Sequence, residues 1–169
     1  MLKRSSASWN IRDEHMVSTI ARLMKFHGKN AKIIVWEHNT HIGDARATEM
    51  ANTGMLNVGQ LLREQHSSDG VVAVGFGSYK GSVIAGREWG DSMRKIKVPE
   101  AVQGSWEHSF HVAGNGKNKL LLMNKVKDEK CLLSYIAHRQ LGWFIIPNMK
   151  DLEITSPPYS LKDTMHLFF

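Results

Sequence analysis

The chain is almost free of cysteine: Cys131 stands alone among 169 residues. A disulfide framework within the chain is therefore excluded, and Cys131, set in Lys130-Cys131-Leu132-Leu133, reads as a small buried hydrophobe. Long apolar runs are also missing. No stretch approaches the ~18 apolar residues of a membrane span. No apolar segment follows the charged start Met1-Leu2-Lys3-Arg4, as a secretory leader requires. The expectation is a soluble, cytoplasmic protein with no membrane partner. Several chemical signatures are absent too. In Gly75-Phe76-Gly77-Ser78-Tyr79-Lys80-Gly81 the third glycine comes one residue late for a dinucleotide loop, and no Walker lysine follows. Ser78, Ser82 and Ser105 lie outside any Gly-x-Ser-x-Gly elbow. There is no cysteine cluster and no His-Glu-x-x-His helix, so neither a resident metal nor another cofactor is expected.

The formal net charge is +6 with nine histidines counted neutral. Basic residues are dense only in Arg94-Lys95-Ile96-Lys97 and in residues 117–130. Neither stretch interleaves aromatics as a base-stacking platform does, so nucleic acid is not an expected partner. A composition of 42% hydrophobic and 22% charged residues is globular, and the length fits a single domain over residues 1–169.

Periodicity then organises the chain. Asn10 as N-cap, with Asp13 and Glu14 in the first turn and Ile11, Val17, Ile20, Leu23 and Met24 at helical spacing, predicts a first helix stopped at Gly28. Residues 31–36 predict a buried strand, and 37–46 a polar loop. Residues 48–65 predict a helix in two parts, broken near Gly54, with Asn57 capping the second. Residues 71–77 read as a second buried strand, 82–85 as a third, and 86–99 as a loop. Ser105 opens a further helix, residues 119–123 and 141–146 read as strands, and the apolar terminus 165–169 reads as a strand tucked into a sheet or as the end of a truncated product. Strands alternating with helices predict an α/β fold with a mixed, largely parallel sheet flanked by helices.

The chemistry concentrates in Glu37-His38-Asn39-Thr40-His41-Ile42-Gly43-Asp44-Ala45, directly after the predicted strand. Polar groups at a strand's carboxyl end occupy the ligand position of open α/β sheets. His38 and His41, three apart, can face one pocket, and imidazoles suit proton transfer near neutral pH. Asp44 is placed to orient one of them through a ring N–H. Arg12, at the start of the first helix, offers a fixed fork of donors to an oxyanion or carboxylate, or else forms a surface salt bridge. His-x-x-His with a nearby acid also has ligand types that zinc accepts, so a metal-dependent hydrolase stays open as an alternative.

Ser8-Trp9-Asn10-Ile11-Arg12-Asp13-Glu14-His15-Met16, then His38 through Arg46, Leu56-Asn57-Val58-Gly59-Gln60-Leu61-Leu62-Arg63-Glu64 and Gly75 through Tyr79 follow one another in a characteristic order. Val98-Pro99, Gly104-Ser105-Trp106-Glu107 and His111 continue it. Over residues 8–146 the chain resembles the erythromycin esterase family. The resemblance implies a metal-independent hydrolase that activates water against an ester. The best-known members open the lactone ring of macrolides, and others are linked with succinoglycan biosynthesis. It implies that His38 and His41 line the active-site cleft and that Arg12 contacts the reacting ester or its oxyanion. Asn39 and Asp44 would hold the loop and contribute to substrate binding. Family chains are more than twice this length, and their N-terminal half supplies a histidine thought to be the general base, with glutamates beside it. This chain has no counterpart to that half, and Glu37 stands where a small residue such as alanine is expected. The expectation is a C-terminal half, with a small-molecule ester or lactone and a missing N-terminal half as partners, and with self-association through exposed sheet edges. The alternative is a binding or structural remnant that has lost the chemistry.

Overall fold

Apolar residues at helical spacing build the first element of the computed structural model, which describes residues 6–68, 70–86, 91–122, 138 and 166–168. Helix α1, Ser6–His27, begins upstream of the predicted cap. Asn10 therefore lies inside the helix, where its side chain accepts from Leu56 N and donates to the Gly54 carbonyl. Asp13, Val17 and Ile20 form the buried stripe. Lys25 places positive charge in the last turn, where the helix dipole favours it, and Gly28 ends the helix at φ +94°.

Residues 31–38 form no strand. Ile34 is 93% exposed and Trp36 85% exposed. An extended apolar segment becomes a strand only when a neighbouring strand takes up its backbone groups, and among the described residues none pairs with it. The chain then winds through helix α2, Asn39–Ile42, two 3-10 turns, Ala45–Ala47 and Glu49–Thr53, and helix α3, Val58–Gln65. Each start is capped by the side chain before it: His38, Asp44, Thr48 and Asn57 accept from Thr40 N, Arg46 N, Met50 N and Gln60 N. Gly54 closes the second 3-10 turn in the left-handed region, φ +67°. Gly59 lets α3 rest against the end of α2, because a Cβ there would collide with the carbonyl oxygens of Ile42 and Gly43. Val17, Ile20 and Val58 form the core here, flanked by Met16, Met24, Val35, Leu61 and Leu62.

The chain divides at Gly75–Phe76 into two compact units, and everything above belongs to the first. Strand β1, Val74–Phe76, spans that boundary; it is shorter than predicted, and two of its three residues are exposed, Val74 at 38% and Phe76 at 51%. In the second unit β2, Gly81–Ala85, pairs antiparallel with β3, Arg94–Val98, from Gly81 opposite Val98 to Ala85 opposite Arg94. β3 falls where a loop was predicted. Its lysines alternate with Ile96 and Val98, which pack on Val83 and Ala85, so a charge-rich run carries a strand's period of two. Ser105 caps helix α4, Trp106–Ala113. Strand β4, Leu120–Leu121, pairs antiparallel with β5, His166–Phe168, which fulfils the expectation of a terminal strand. The predicted strand at 141–146 and Cys131 lie outside the described residues.

The expectation of a largely parallel sheet is corrected. Helices and strands do mix, but the strands form two small sheets and both of these ladders are antiparallel. Parallel neighbours need long crossovers, whereas the short connection from β2 to β3 reverses the chain. Among the described residues no helix is long and apolar enough to cross a membrane.

Candidate functional site

Three residues on one side of α1 assemble the site. Trp9, Arg12 and Asp13 are three and four apart, so they share a face. Asp13 is fully buried, which an ionised carboxylate tolerates only with donors around it. Its Oδ2 accepts from Val58 N at 3.2 Å and from His41 Nδ1 at 2.9 Å. One carboxylate oxygen thus satisfies an otherwise orphaned N–H at the start of α3 and fixes an imidazole on α2.

His41 is held on three sides. Its ring stacks on Trp9 at a centroid distance of 4.5 Å and an interplanar angle of 3°. Trp9 is in turn fixed by its Nε1–H, which donates to the Leu56 carbonyl at 2.8 Å. The Arg12 guanidinium lies over the Trp9 ring, 4.6 Å from its centroid, and places Nη2 3.4 Å from His41 Nε2. Because Asp13 accepts at Nδ1, that nitrogen carries the proton and Nε2 presents its lone pair. The His41 side chain is 17% exposed and that of Arg12 56% exposed, so the ring meets solvent narrowly and the cation broadly. A ring held by a buried carboxylate, with its proton-accepting nitrogen beside a half-exposed cation, can take a proton from water once Arg12 yields that nitrogen, and the cation can stabilise the negative oxygen that results.

Glu37 adjoins this group. It is half-buried, and its Oε2 is buried without a hydrogen-bond partner among the described residues. Burial pushes its carboxyl above the ordinary glutamate value; His41 opposes that, Asp13 adds to it and Arg12 opposes it.

The remaining predicted residues shape the loop. His38 Nδ1 accepts from Thr40 N at 3.3 Å and meets Thr40 Oγ1 at 3.0 Å, which fixes the start of α2. The Asn39 carbonyl accepts from Gly43 N at 3.0 Å. Asp44 is 1% exposed and binds Arg46 through Oδ2 to Nη2 at 2.6 Å and Oδ1 to Nε at 2.9 Å. Burial alone would raise the Asp44 carboxyl, but the side-chain and backbone hydrogen bonds from Arg46 hold it below the usual carboxylate value. The expected contact from Asp44 to an imidazole is replaced: Asp13 makes it, and Asp44 holds the loop.

Sequence reasoning also passed over Asn57 as more than a cap. Its Oδ1 accepts from Ala45 N at 3.2 Å and Gln60 N at 3.0 Å, while Nδ2 donates to the Thr40 carbonyl at 2.9 Å, latching α2 to α3. Asp13 was legible in principle, as an acid on the same stripe as Val17 and Ile20. Placing the helix start at Asn10 disguised it as a first-turn acid. Among the described residues no three His, Cys, Asp or Glu side chains are grouped to hold a metal ion.

Residues 1–157 match the sequence model of the erythromycin esterase family. The chain belongs to that family. Erythromycin esterase membership points to hydrolase-like chemistry. The match runs from the first residue to 157, so the narrower expectation of a C-terminal half alone is not borne out. The fold is similar to a crystal structure of a Bacillus cereus protein, with a TM-score of 0.73 at 17% identity. That similarity covers 99% of this chain and 39% of the other, so the chain spans well under half the length of that solved relative.

Proposed function

We propose that this chain takes part in hydrolysing a carboxylic ester or macrolide lactone by metal-independent activation of water. The observation that carries this reading is the Asp13–His41 pair with Arg12 at the far nitrogen. Asp13 holds the ring with its proton on Nδ1. Nε2 takes a proton from water while the water oxygen bonds to the carbonyl carbon. The exposed Arg12 fork follows the oxygen that becomes negative. The carbon–oxygen bond to the alcohol then breaks, the leaving oxygen takes up a proton, and acid and alcohol result. A positioned base contributes ~10²–10⁴ in rate, and one oxyanion donor ~10²–10³. His38, Asn39 and Asp44 keep the loop in shape beneath the substrate.

The test is hydrolysis of p-nitrophenyl acetate and of a macrolide by the purified chain and by His41→Ala. The reading expects His41→Ala to lower turnover by ~10²-fold or more. Equal rates in the two proteins would end it.

A second reading has its own support in the exposure of Ile34 and Trp36 and in the 39% coverage of the solved relative. In it the chain keeps a ligand-binding surface and needs a further polypeptide segment over residues 31–36 to turn over. Ligand-raised melting temperature without turnover, with activity restored by that added segment, would favour it.

A further inference from the structure

The β2–β3 ribbon of the second unit has two faces, and hydrolysis uses neither. Val83, Ala85, Ile96 and Val98 pack together on the inner one. A strand's period of two therefore turns Ser82, Ile84, Lys95 and Lys97 to the outer one. The register sets Ser82 opposite Lys97 and Ile84 opposite Lys95. All four are exposed, Ile84 by 69%, and so is Met93, directly before β3, by 78%. We propose that this outer face is a peripheral docking surface for an anionic lipid membrane.

Its charge is uncompensated. The acids that flank β3 are engaged elsewhere: Asp91 lies 3.8 Å from Arg94, and Glu100 binds Lys80 at 2.9 Å. Lys95 and Lys97 have no ion pair among the described residues, and they stand about 7 Å apart along one strand. The net charge of +6 adds to the attraction toward a negative surface. Chemistry then chooses among occupants. A second copy of the chain would set lysines against lysines, which repel. A nucleic acid would use the cations and leave Ile84 and Met93 in water. A carboxylate on an acidic protein is gripped best by a guanidinium fork, but both outward cations are ammonium point charges, and Arg94 is taken by Asp91. An anionic bilayer offers a diffuse negative field with an apolar layer beneath it. Lys95 and Lys97 answer the field, and Ile84 and Met93 enter the layer. Contact of this kind requires no spanning helix.

The whole chain is centrifuged with vesicles of phosphatidylcholine alone and of phosphatidylcholine mixed with phosphatidylserine, at low and high salt. Binding is expected only to the mixed vesicles, and weaker at high salt. Lys95→Gln with Lys97→Gln should lower the partition coefficient by roughly 20-fold. Ile84→Ser with Met93→Ser should lower it by about 10-fold and leave the remainder salt-dependent. Lys25→Gln with Lys29→Gln removes the same charge from exposed positions of the first unit and should stay close to wild type. A footprint on the wild type needs no variant to fold: mixed vesicles should slow acetylation of Lys95 and Lys97 more than that of Lys25 and Lys29, read by mass spectrometry. Absence of binding to the mixed vesicles, equal loss in the two lysine pairs, or equal protection of them overturns the proposal. So does tighter capture by polyglutamate or duplex DNA that ignores Ile84→Ser with Met93→Ser, which would assign the face to an acidic protein or a nucleic acid.

Discussion

Two neighbouring segments have traded places. Residues 31–36 are apolar, yet Ile34 and Trp36 stand 93% and 85% exposed. The segment after them is polar, yet Ala45 and Asp44 are 0% and 1% exposed. Hydropathy alone ranks them the other way. The polar segment is enclosed because each of its turns has a capping side chain, Asn57 and Asp13 satisfy backbone groups across the helices, and Gly59 admits close approach. The apolar segment has side chains suited to burial but no strand beside it among the described residues. Burial follows satisfied polar groups and available neighbours, with hydrophobicity as the driving force but not the address.

The most severe way to undo this contrast is Gly59→Ala. A Cβ would be driven into the Ile42 and Gly43 carbonyls, so α3 must move away from α2. Thermal or urea unfolding should show a loss of ~3 kcal/mol. An unchanged midpoint would mean the two helices do not meet this closely.

Asp13→Asn comes next. It keeps the shape but removes the charge that selects the His41 tautomer, so ester hydrolysis should fall by ~10²–10⁴. It also weakens the bond to Val58 N, for a stability loss of ~1–3 kcal/mol in urea titration. Full activity in this variant would detach Asp13 from the chemistry.

Asp44→Asn should act mainly through pH. The Asp44 carboxyl is held below its ordinary value of 3.8, so the folded state binds that proton less tightly than the unfolded state. Its contribution is therefore fully present above 3.8 and is lost as pH falls through the lower, folded-state value. The variant should lose ~1 kcal/mol near neutrality, with its cap and its Arg46 pair, and should unfold less steeply in acid than the wild type. Parallel acid-unfolding curves would contradict the assignment.

The smallest effect belongs to the apolar side of the contrast. Replacing both Ile34 and Trp36 by Ser should change stability by no more than ~0.5 kcal/mol, because neither side chain is enclosed. A loss of several times that in chemical denaturation would show that the segment is covered in solution.

Local chemistry was legible wherever the sequence states it within a few residues. Asn57 and Ser105 cap the predicted helices, residues 82–85 form a strand, and the apolar terminus joins β4. His41 and Arg12 do meet, across a separation that no local pattern reports. What could not be read depends on the partner. A run such as 31–36 has strand chemistry without specifying who pairs with it. Asp13 looked like a dipole-compensating acid until the true start of α1 turned it inward. The alternation in β3 was hidden by its charge, because Lys95 and Lys97 face outward while Ile96 and Val98 do the packing.

The central claim is that Asp13 fixes His41 with its proton on Nδ1 and its lone pair on Nε2. Heteronuclear NMR of the imidazole nitrogens reads this directly, in the wild type and in Asp13→Asn. The account predicts that the neutral imidazole carries its proton on Nδ1 and none on Nε2, with the preference lost in the variant. A proton resident on Nε2, or the same spectrum in both proteins, would contradict it.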